Sequence, residues 1–212
     1  MYDQNYKTNH YADVVLLDCR ILRDPSCWSA AFQRVSPARR DKIADCTTGE
    51  DRRLSLGVGL LAAHILYARG IDPARLVFAP DGRPTILGGG AFLSLSHAGD
   101  FAMAGLSSAP IGVDLERHQP EQMVIADHFF TSDERASLAC APDQTTRFFQ
   151  LWSRKECLIK RDGPADLRQI SALAPPDGGV FYDFPLAGYS CVCYCTSSAR
   201  PNFMVLDRGN LF

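Results

Sequence analysis

Two acidic residues on one predicted strand have the spacing of ligands for a hard cation. Residues 111–116 alternate apolar side chains with Gly112, Asp114 and Glu116, so these three share one face of the strand. Residues two apart on a strand lie about 7 Å apart at the backbone, so both carboxylates can reach one cation. The alternative is the solvent-facing side of an antiparallel sheet. Aspartate is disfavoured in strands and Gly112 leaves room for a ligand, and both points favour a cation site.

A second group of charged residues lies on a predicted helix over residues 148–160. At about 100° per residue, its apolar positions form one stripe that would be buried against the core. The stripe contains Phe148, Leu151, Trp152 and Ile159. Lys155 projects into this stripe and must extend to solvent or meet an anion, because a desolvated and unpaired charge is costly. With Glu156 and Lys160 beside it, the helix could hold an anionic ligand and a metal ion; a surface Glu–Lys pair beside a solvated lysine is the alternative.

The residues before position 109 predict elements that would position these groups. The predicted helices cover residues 28–32, 37–43 and 51–69, and the predicted strands cover residues 12–17, 76–78 and 85–87. A hairpin over residues 92–106 would present Ser96 and His97 at its tip. The alternative is a decorated turn, and a hydrolase triad lacks an identifiable third member.

A second part of the chain begins after Ala109 and Pro110, which divides the chain into residues 1–109 and 110–212. In it, Thr131 caps a helix and Glu134 completes a capping box. Apolar residues before Thr131, on a predicted surface connection, indicate either a protein partner or ordinary packing. Short strands are predicted over residues 179–184, 189–195 and 203–206.

The composition of the 212 residues is typical of a globular protein with one ordinary domain or two small ones. A net charge of −2, with 46% hydrophobic and 22% charged residues, gives no electrostatic case for binding nucleic acid or a membrane surface. The longest apolar windows are too short for a membrane span. The eight cysteines form no CxxC pair and follow no signal-like leader, so we expect reduced thiols and a cytoplasmic protein. A zinc site is the alternative.

Four stretches, taken in order, resemble the motifs of the Sfp-type 4'-phosphopantetheinyl transferases. They are residues 82–84, 93–99, 111–116 and 152–160, with Gly163 after the last. Residues 130–134 match the family's segment between the last two stretches, and residues 36–56 resemble its N-terminal half. The ordered set is more specific than any single motif.

The resemblance implies an α+β fold of two similar halves related by a pseudo-twofold axis, each with a small sheet packed on a long helix. Coenzyme A would bind in the cleft between the halves. The implied reaction is Mg²⁺-dependent and moves the 4'-phosphopantetheine arm to a serine of an apo acyl, polyketide or peptidyl carrier protein, releasing 3',5'-ADP. The hydrophobic segment from Gln122 to Phe130 would receive the carrier, and the two-halves architecture favours a monomer.

The resemblance also implies roles for individual residues. The ligands of Mg²⁺ would be Asp114, Glu116 and Glu156. The residues meeting the pyrophosphate would be Lys155, Lys160, Ser96 and His97. Arg83 would lie by the adenine, and the residues near the 3'-phosphate would be Arg39, Lys42 and Ser55. These roles agree with phosphoryl transfer, which needs charge neutralisation and alignment more than covalent chemistry.

Within this reading the catalytic residues would be Asp114, Lys160 and Glu156. Glu156, directly or through a water, is the candidate base for the serine proton, although binding a metal would lower its pKa. Two other functions stay open. One is a metal-dependent phosphoesterase that uses the same carboxylates with water as the nucleophile, acting on coenzyme A or a related nucleotide. The other is a non-catalytic module that binds coenzyme A or a carrier.

Overall fold

The computed structural model describes residues 10–119, 123–163, 170, 173, 175, 178–197 and 200–211. Its helices are α1 (Pro25–Arg34), α2 (Pro37–Ala44), α3 (Gly49–Ala68), α4 (Met123–Phe129), α5 (Ser132–Ala139), α6 (Gln144–Asp162) and α7 (Arg208–Leu211). Its strands are β1 (Ala12–Asp18), β2 (Leu76–Phe78), β3 (Pro84–Ile86), β4 (Phe92–Ala98), β5 (Phe101–Ser107), β6 (Ile111–Arg117), β7 (Val180–Phe184), β8 (Tyr189–Cys195) and β9 (Asn202–Leu206). Short 3₁₀ helices cover Cys19–Arg23 and Pro73–Arg75.

The first sheet has the strand order β4-β5-β1-β9 and carries α3 on one face. β1 is antiparallel to β5 and parallel to β9. Thr48 caps α3 by accepting a hydrogen bond from the backbone N–H of Asp51, which satisfies one of the free donors of the first turn. Leu56 and Leu61 of α3 are fully buried in the core between helix and sheet. β2 and β3 form a separate two-stranded ribbon beside it.

The second sheet has the order β6-β8-β7, and α6 packs across it. Asp143 caps the start of α6, and the helix ends at Gly163, whose φ of 100° favours glycine. Phe148 and Leu158, on the buried side of this helix, are 1% and 3% exposed. The helix predicted over residues 148–160 is therefore confirmed, with extra residues at both ends.

The two sheets join where β4 runs beside β6. The backbone N–H of Val113 donates to Ser94 Oγ at 3.0 Å, and that of Leu115 donates to Ser96 Oγ at 3.1 Å. Serines of β4 thus satisfy buried backbone donors of β6 that have no strand partner on this side. The alternation of serine with apolar residues in β4 therefore couples the first sheet to the strand that carries Asp114.

The mixed α+β class predicted from the sequence is confirmed. The pseudo-twofold relation and the boundary after residue 109 stay predictions. β9 comes from the second part of the sequence, yet it pairs with β1 of the first sheet, and Leu211 of α7 joins the first hydrophobic core. Within the described residues, no helix combines the length and hydropathy that crossing a membrane would require.

Two local expectations were wrong. Ser96 and His97 lie inside β4, and Gly99 and Asp100 form the tip of the hairpin instead. Gly112 does not open space for a ligand, because a Cβ at this position would overlap the carbonyl oxygen of Cys157. The glycine is required because the backbone of α6 crosses β6 at this point.

Candidate functional site

A cavity of about 550 Å³ lies between the first sheet, its helices and the C-terminal end of α6. Of the residues predicted to bind coenzyme A, all except Lys155 line this cavity. They are Arg39, Lys42, Ser55, Arg83, Ser96, His97 and Lys160. The volume is in the range of cofactor and ligand pockets. Residues that are far apart in the sequence are therefore brought to one concave surface.

Arg39 is the most buried cation of the cavity, with 9% of its surface exposed. Ser36 caps α2 and accepts a hydrogen bond from the backbone N–H of Arg39. The guanidinium carbon of Arg39 lies 5.4 Å from the centroid of the Phe78 ring, and a Cβ on Gly59 would lie 2.7 Å from Arg39 Cγ. Burial lowers the pKa of Arg39. Phe78 thus contacts the guanidinium, and the missing side chain of Gly59 leaves room for the stem of Arg39. Lys42 lies exposed one turn later on α2.

The cavity collects positive charge around His97. Desolvation lowers the pKa of His97, and the charges of Lys160, Lys42 and Arg39 lower it further. These cations come from two helices at opposite sides of the cavity. Such a convergence of positive charge suits an anionic ligand.

Ser55 on α3 points a buried hydroxyl toward the same cavity. The residue is 9% exposed, and its Oγ has no hydrogen-bond partner within the described part of the chain. A buried hydroxyl without a partner is costly. A ligand atom in the cavity would satisfy it.

Lys160 lines the cavity and forms an ion pair with Asp114, which is buried and is not among the lining residues. Lys160 Nζ lies 2.5 Å from Asp114 Oδ1 and 2.8 Å from Ser96 Oγ, and Ser96 Oγ donates to Asp114 Oδ1 at 3.2 Å. Burial alone would lower the pKa of Lys160, but the charge and hydrogen bond of Asp114 outweigh it and raise the pKa. Lys160 is therefore held as a cation beside the cavity.

Glu116 and Glu156 belong to the same electrostatic cluster as Asp114. Burial and then the charge of Asp114 raise the pKa of Glu116 to about 7. Burial and then Asp114 also raise the pKa of Glu156. Three carboxylates that repel one another in a partly desolvated site are stabilised by a bound cation.

The donor atoms of this cluster determine whether it suits a metal ion. Across the described ranges, no three His, Cys, Asp or Glu side chains converge closely enough to form a ready-made metal site. However, Asp114 Oδ2 is buried and has no hydrogen-bond partner in the described ranges. Carboxylate oxygens are the donors that Mg²⁺ prefers. The donor chemistry therefore fits a hard divalent cation, and the ligand roles stay predictions.

The raised pKa of Glu116 makes the metal-free protein sensitive to pH. Because Glu116 holds its proton up to about pH 7 when folded but only to about 4.5 when unfolded, the free energy of unfolding should fall as pH rises between these values. Glu116→Gln should remove this contribution, so the variant should gain stability relative to wild type from pH 5 to pH 7.5. Urea unfolding in the presence of a chelator measures the difference. Parallel pH curves for the two proteins would contradict the assignment.

The chain is similar in sequence to a known protein family and to several characterised proteins. The sequence model of the 4'-phosphopantetheinyl transferase superfamily matches residues 110–197. A 4'-phosphopantetheinyl transferase of Bacillus subtilis is 34% identical over 160 residues, which are 71% of this chain and 71% of that protein. The 4'-phosphopantetheinyl transferase Sfp of Bacillus subtilis (strain 168) is 31% identical over 166 residues, 74% of each chain. The chain belongs to the 4'-phosphopantetheinyl transferase superfamily.

The predicted family is thus confirmed. A third superfamily member, 4'-phosphopantetheinyl transferase psf-1 of Bacillus pumilus, is 32% identical over 149 residues, 66% of this chain and 64% of that protein. The match to this relative therefore spans just under two thirds of its length. The segment that matches the superfamily model contains β6 and α6, which carry all three carboxylates of the cluster.

Lys155, which the resemblance predicted to meet the pyrophosphate, is not among the residues that line the cavity. Lys155 is 3% exposed, and its Nζ lies 2.9 Å from Glu134 Oε2. The alternative of the sequence analysis in which this lysine reaches solvent is wrong, since the ammonium meets a carboxylate. Its predicted contact with phosphate stays a prediction.

The described apolar side chains of α4, and Phe130 directly after it, pack inside the molecule. Ala126 and Phe130 are buried, and Phe129 lies 5.8 Å from the Trp152 ring. Gln122 lies outside the described residues. Packing against α6, which was the alternative to an exposed apolar loop, thus accounts for these residues.

Three residues that position the site were not predicted from the sequence. Phe78 supports Arg39, and Ser94 anchors β6 through its hydroxyl. Asp81 holds Arg83 through an ion pair of 2.7 Å, and Arg83 also donates to the carbonyl of Asp162 at 3.3 Å. The role of Asp81 could have been predicted, because an aspartate in a turn commonly bonds to the residue two positions later, here Arg83.

Proposed function

We propose that this protein transfers the 4'-phosphopantetheine arm of coenzyme A to a serine of an apo carrier protein and releases 3',5'-ADP. The main support is a single cavity that is lined by the residues predicted to bind coenzyme A, except Lys155. One of these residues, Lys160, pairs with Asp114. Family membership supports the reaction class. Cations line the cavity, and one of them, Lys160, pairs with a carboxylate of the acidic cluster. Phosphoryl transfer requires such charge neutralisation and alignment.

The cavity provides separate groups for the two charged parts of coenzyme A. Arg39 and Lys42 on α2 are proposed to bind the 3'-phosphate, with Ser55 as a neighbouring donor. Lys160, Ser96 and His97 are proposed to face the pyrophosphate at the other side. Arg83 is proposed to lie beside the adenine, where its links to Asp81 and to the end of α6 would fix the guanidinium plane.

Lys160 and Glu156 have the chemistry that the transfer step needs. The serine oxygen of the carrier attacks the phosphorus that bears pantetheine, and the bond from this phosphorus to the oxygen of 3',5'-ADP breaks. Lys160, held protonated by Asp114, would stabilise the negative charge that develops on the departing group. Burial and the charge of Asp114 raise the pKa of Glu156, and a raised pKa makes its carboxylate a better proton acceptor for the serine. When bound by Asp114, Glu116 and Glu156, Mg²⁺ would supply Lewis-acid neutralisation of the pyrophosphate.

We propose that the carrier docks beside α4, within the predicted segment from Gln122 to Phe130. Asp127 and His128 are the exposed side chains of this helix in the described part of the segment. The cytoplasmic location and the monomeric state predicted from the sequence stay part of the proposal.

The proposal is tested by mass spectrometry of intact carriers. The purified protein is incubated with coenzyme A, Mg²⁺ and a panel of apo acyl, polyketide and peptidyl carriers. The expected result is a mass gain of one phosphopantetheine arm, which is lost when the carrier serine is replaced by Ala. Consumption of coenzyme A without a gain would instead indicate the phosphoesterase, and binding without either would indicate a non-catalytic module.

Arg39→Met should specifically weaken recognition of the 3'-phosphate. Loss of a charge-assisted hydrogen bond should raise the Kd for coenzyme A about 10-fold to 100-fold. Dephospho-coenzyme A, which lacks this phosphate, should bind wild type and variant about equally. Calorimetric titration of both ligands measures the effect, with Arg75→Met, outside the cavity, as the control. Equal weakening for both ligands would rule out a specific contact with the 3'-phosphate.

A further inference from the structure

Lys155 makes its contacts with residues that do not line the coenzyme A cavity. Its ammonium pairs with Glu134 Oε2 at 2.9 Å and donates to the carbonyl of Ile170 at 3.3 Å. It also lies 5.9 Å from the centroid of the Phe130 ring. With 3% of its surface exposed, Lys155 has a protein partner for its charge and does not line the cavity.

The carboxylate that Lys155 binds has a second structural task. Glu134 Oε2 accepts a hydrogen bond from the backbone N–H of Thr131 at 2.8 Å, and the backbone N–H of Glu134 donates to Thr131 Oγ1 at 3.2 Å. These bonds form the capping box that starts α5. Lys155 therefore reaches from α6 to the junction between α4 and α5.

The same junction is held by aromatic packing. Phe130 is 2% exposed and its ring lies 5.3 Å from that of Phe148 on α6. On the other side of the junction, Phe129 packs on Trp152. Aromatic packing fixes how closely α4 approaches α6, and a directional ion pair fixes the position of the residues that follow.

Moving Lys155 into the cavity would break this arrangement. The carbonyl of Ile170 would lose a donor, and Glu134, with 25% of its side chain exposed, would lose its only cationic partner among the described residues. Removing one member of a buried pair is strongly unfavourable. Lys160 already supplies an ammonium to the cavity.

We propose that Lys155 is a positioning residue that fixes the α4–α5 junction, and with it the carrier-docking surface, and is not a ligand of the coenzyme A phosphates. This rests on the proposed function for the identity of the docking partner. The positioning itself depends only on the contacts of Lys155. The two lysines of the helix motif then have separate tasks: Lys160 serves coenzyme A and Lys155 serves the carrier.

The test compares Lys155→Met and Glu134→Gln with Lys42→Met, a cavity cation that serves as the matched control. Gln at position 134 preserves the capping box, so Glu134→Gln carries the test even if Lys155→Met fails to fold. For each protein we would measure the Kd for coenzyme A, the KM for the carrier, and hydrogen exchange of the backbone amides of residues 130–140. Lys155→Arg, which keeps the charge, tests rescue.

We expect Lys155→Met and Glu134→Gln to raise the KM for the carrier about tenfold, because each removes one member of an ion pair. Both should leave the Kd for coenzyme A within about twofold of wild type, as expected for separate sites. Amide exchange at the start of α5 should accelerate, and Lys155→Arg should restore slow exchange and a low KM. Lys42→Met should show the opposite pattern, with a raised Kd for coenzyme A and an unchanged KM for the carrier.

Two results would overturn the proposal. One is a tenfold or larger rise in the Kd for coenzyme A in Lys155→Met without a change in carrier KM, because that is the behaviour of a phosphate ligand. The other is unchanged exchange at α5 together with unchanged carrier KM. If wild type modifies no carrier, the proposed function fails, and exchange and coenzyme A binding still decide the role of Lys155.

Discussion

Replacing Asp114 by Asn should reduce phosphopantetheine transfer by at least about 100-fold. Asp114 is 1% exposed, and its Oδ1 accepts from both Lys160 and Ser96. The amide has nearly the same shape but no charge, so Lys160 would lose the anion that keeps its pKa raised against burial. The same change removes the buried carboxylate oxygen that we propose for the metal. The substitution would therefore affect both the Lys160 ammonium and the proposed binding of Mg²⁺.

The measurement is the rate of carrier modification at saturating Mg²⁺ and coenzyme A. Asp183→Asn is the matched control, because Asp183 lies on β7, is 41% exposed at its side chain and pairs only with Arg154 among the described residues. This control should transfer at the wild-type rate. Thermal unfolding of each variant separates a loss of chemistry from a loss of fold. A folded Asp114→Asn protein with more than a tenth of the wild-type rate would refute the role of Asp114.

The family resemblance supplied the residues predicted to line the cavity, and local patterns account for where several site residues lie. Ser36 and Pro37 start α2, and a start at this point fixes the face on which Arg39 and Lys42 lie. The alternation of β6 likewise places Asp114 and Glu116 on one side. Helix caps and strand alternation act over a few residues, so short stretches of sequence are enough to read them.

The remaining features depend on contacts between distant segments. That Lys155 meets Glu134 follows from the angle between α5 and α6, which no local pattern encodes. β9 pairs with β1 although almost the whole chain separates them. The alternation in β6 predicted either a ligand or solvent beside Gly112, and the backbone of α6 occupies that space instead. Long-range packing decided each of these points, and one sequence gives no direct signal of it.

Gly112→Ala should strongly destabilise the protein although the residue has no functional group of its own. A Cβ at this position would overlap the carbonyl oxygen of Cys157 and lie 2.7 Å from its carbonyl carbon. These are backbone atoms of α6, so no side chain can turn aside to relieve the clash. Because the helix must move away from β6, we expect a loss of about 3 kcal/mol or more in the free energy of unfolding.

Urea unfolding measures this loss, with Gly49→Ala as the control. A Cβ at position 49 meets only Arg53 Nη1, at 3.8 Å, and Ala in the first turn of α3 should be neutral or stabilising. Any folded Gly112→Ala protein should also transfer slowly, because α6 carries Glu156 and Lys160 while β6 carries Asp114. Displacing α6 would lengthen the 2.5 Å contact between Lys160 and Asp114 that the transfer step is proposed to use. Wild-type stability would mean that the helix does not approach β6 as closely as described, and the geometry of the ion pair would then have to be revised with it.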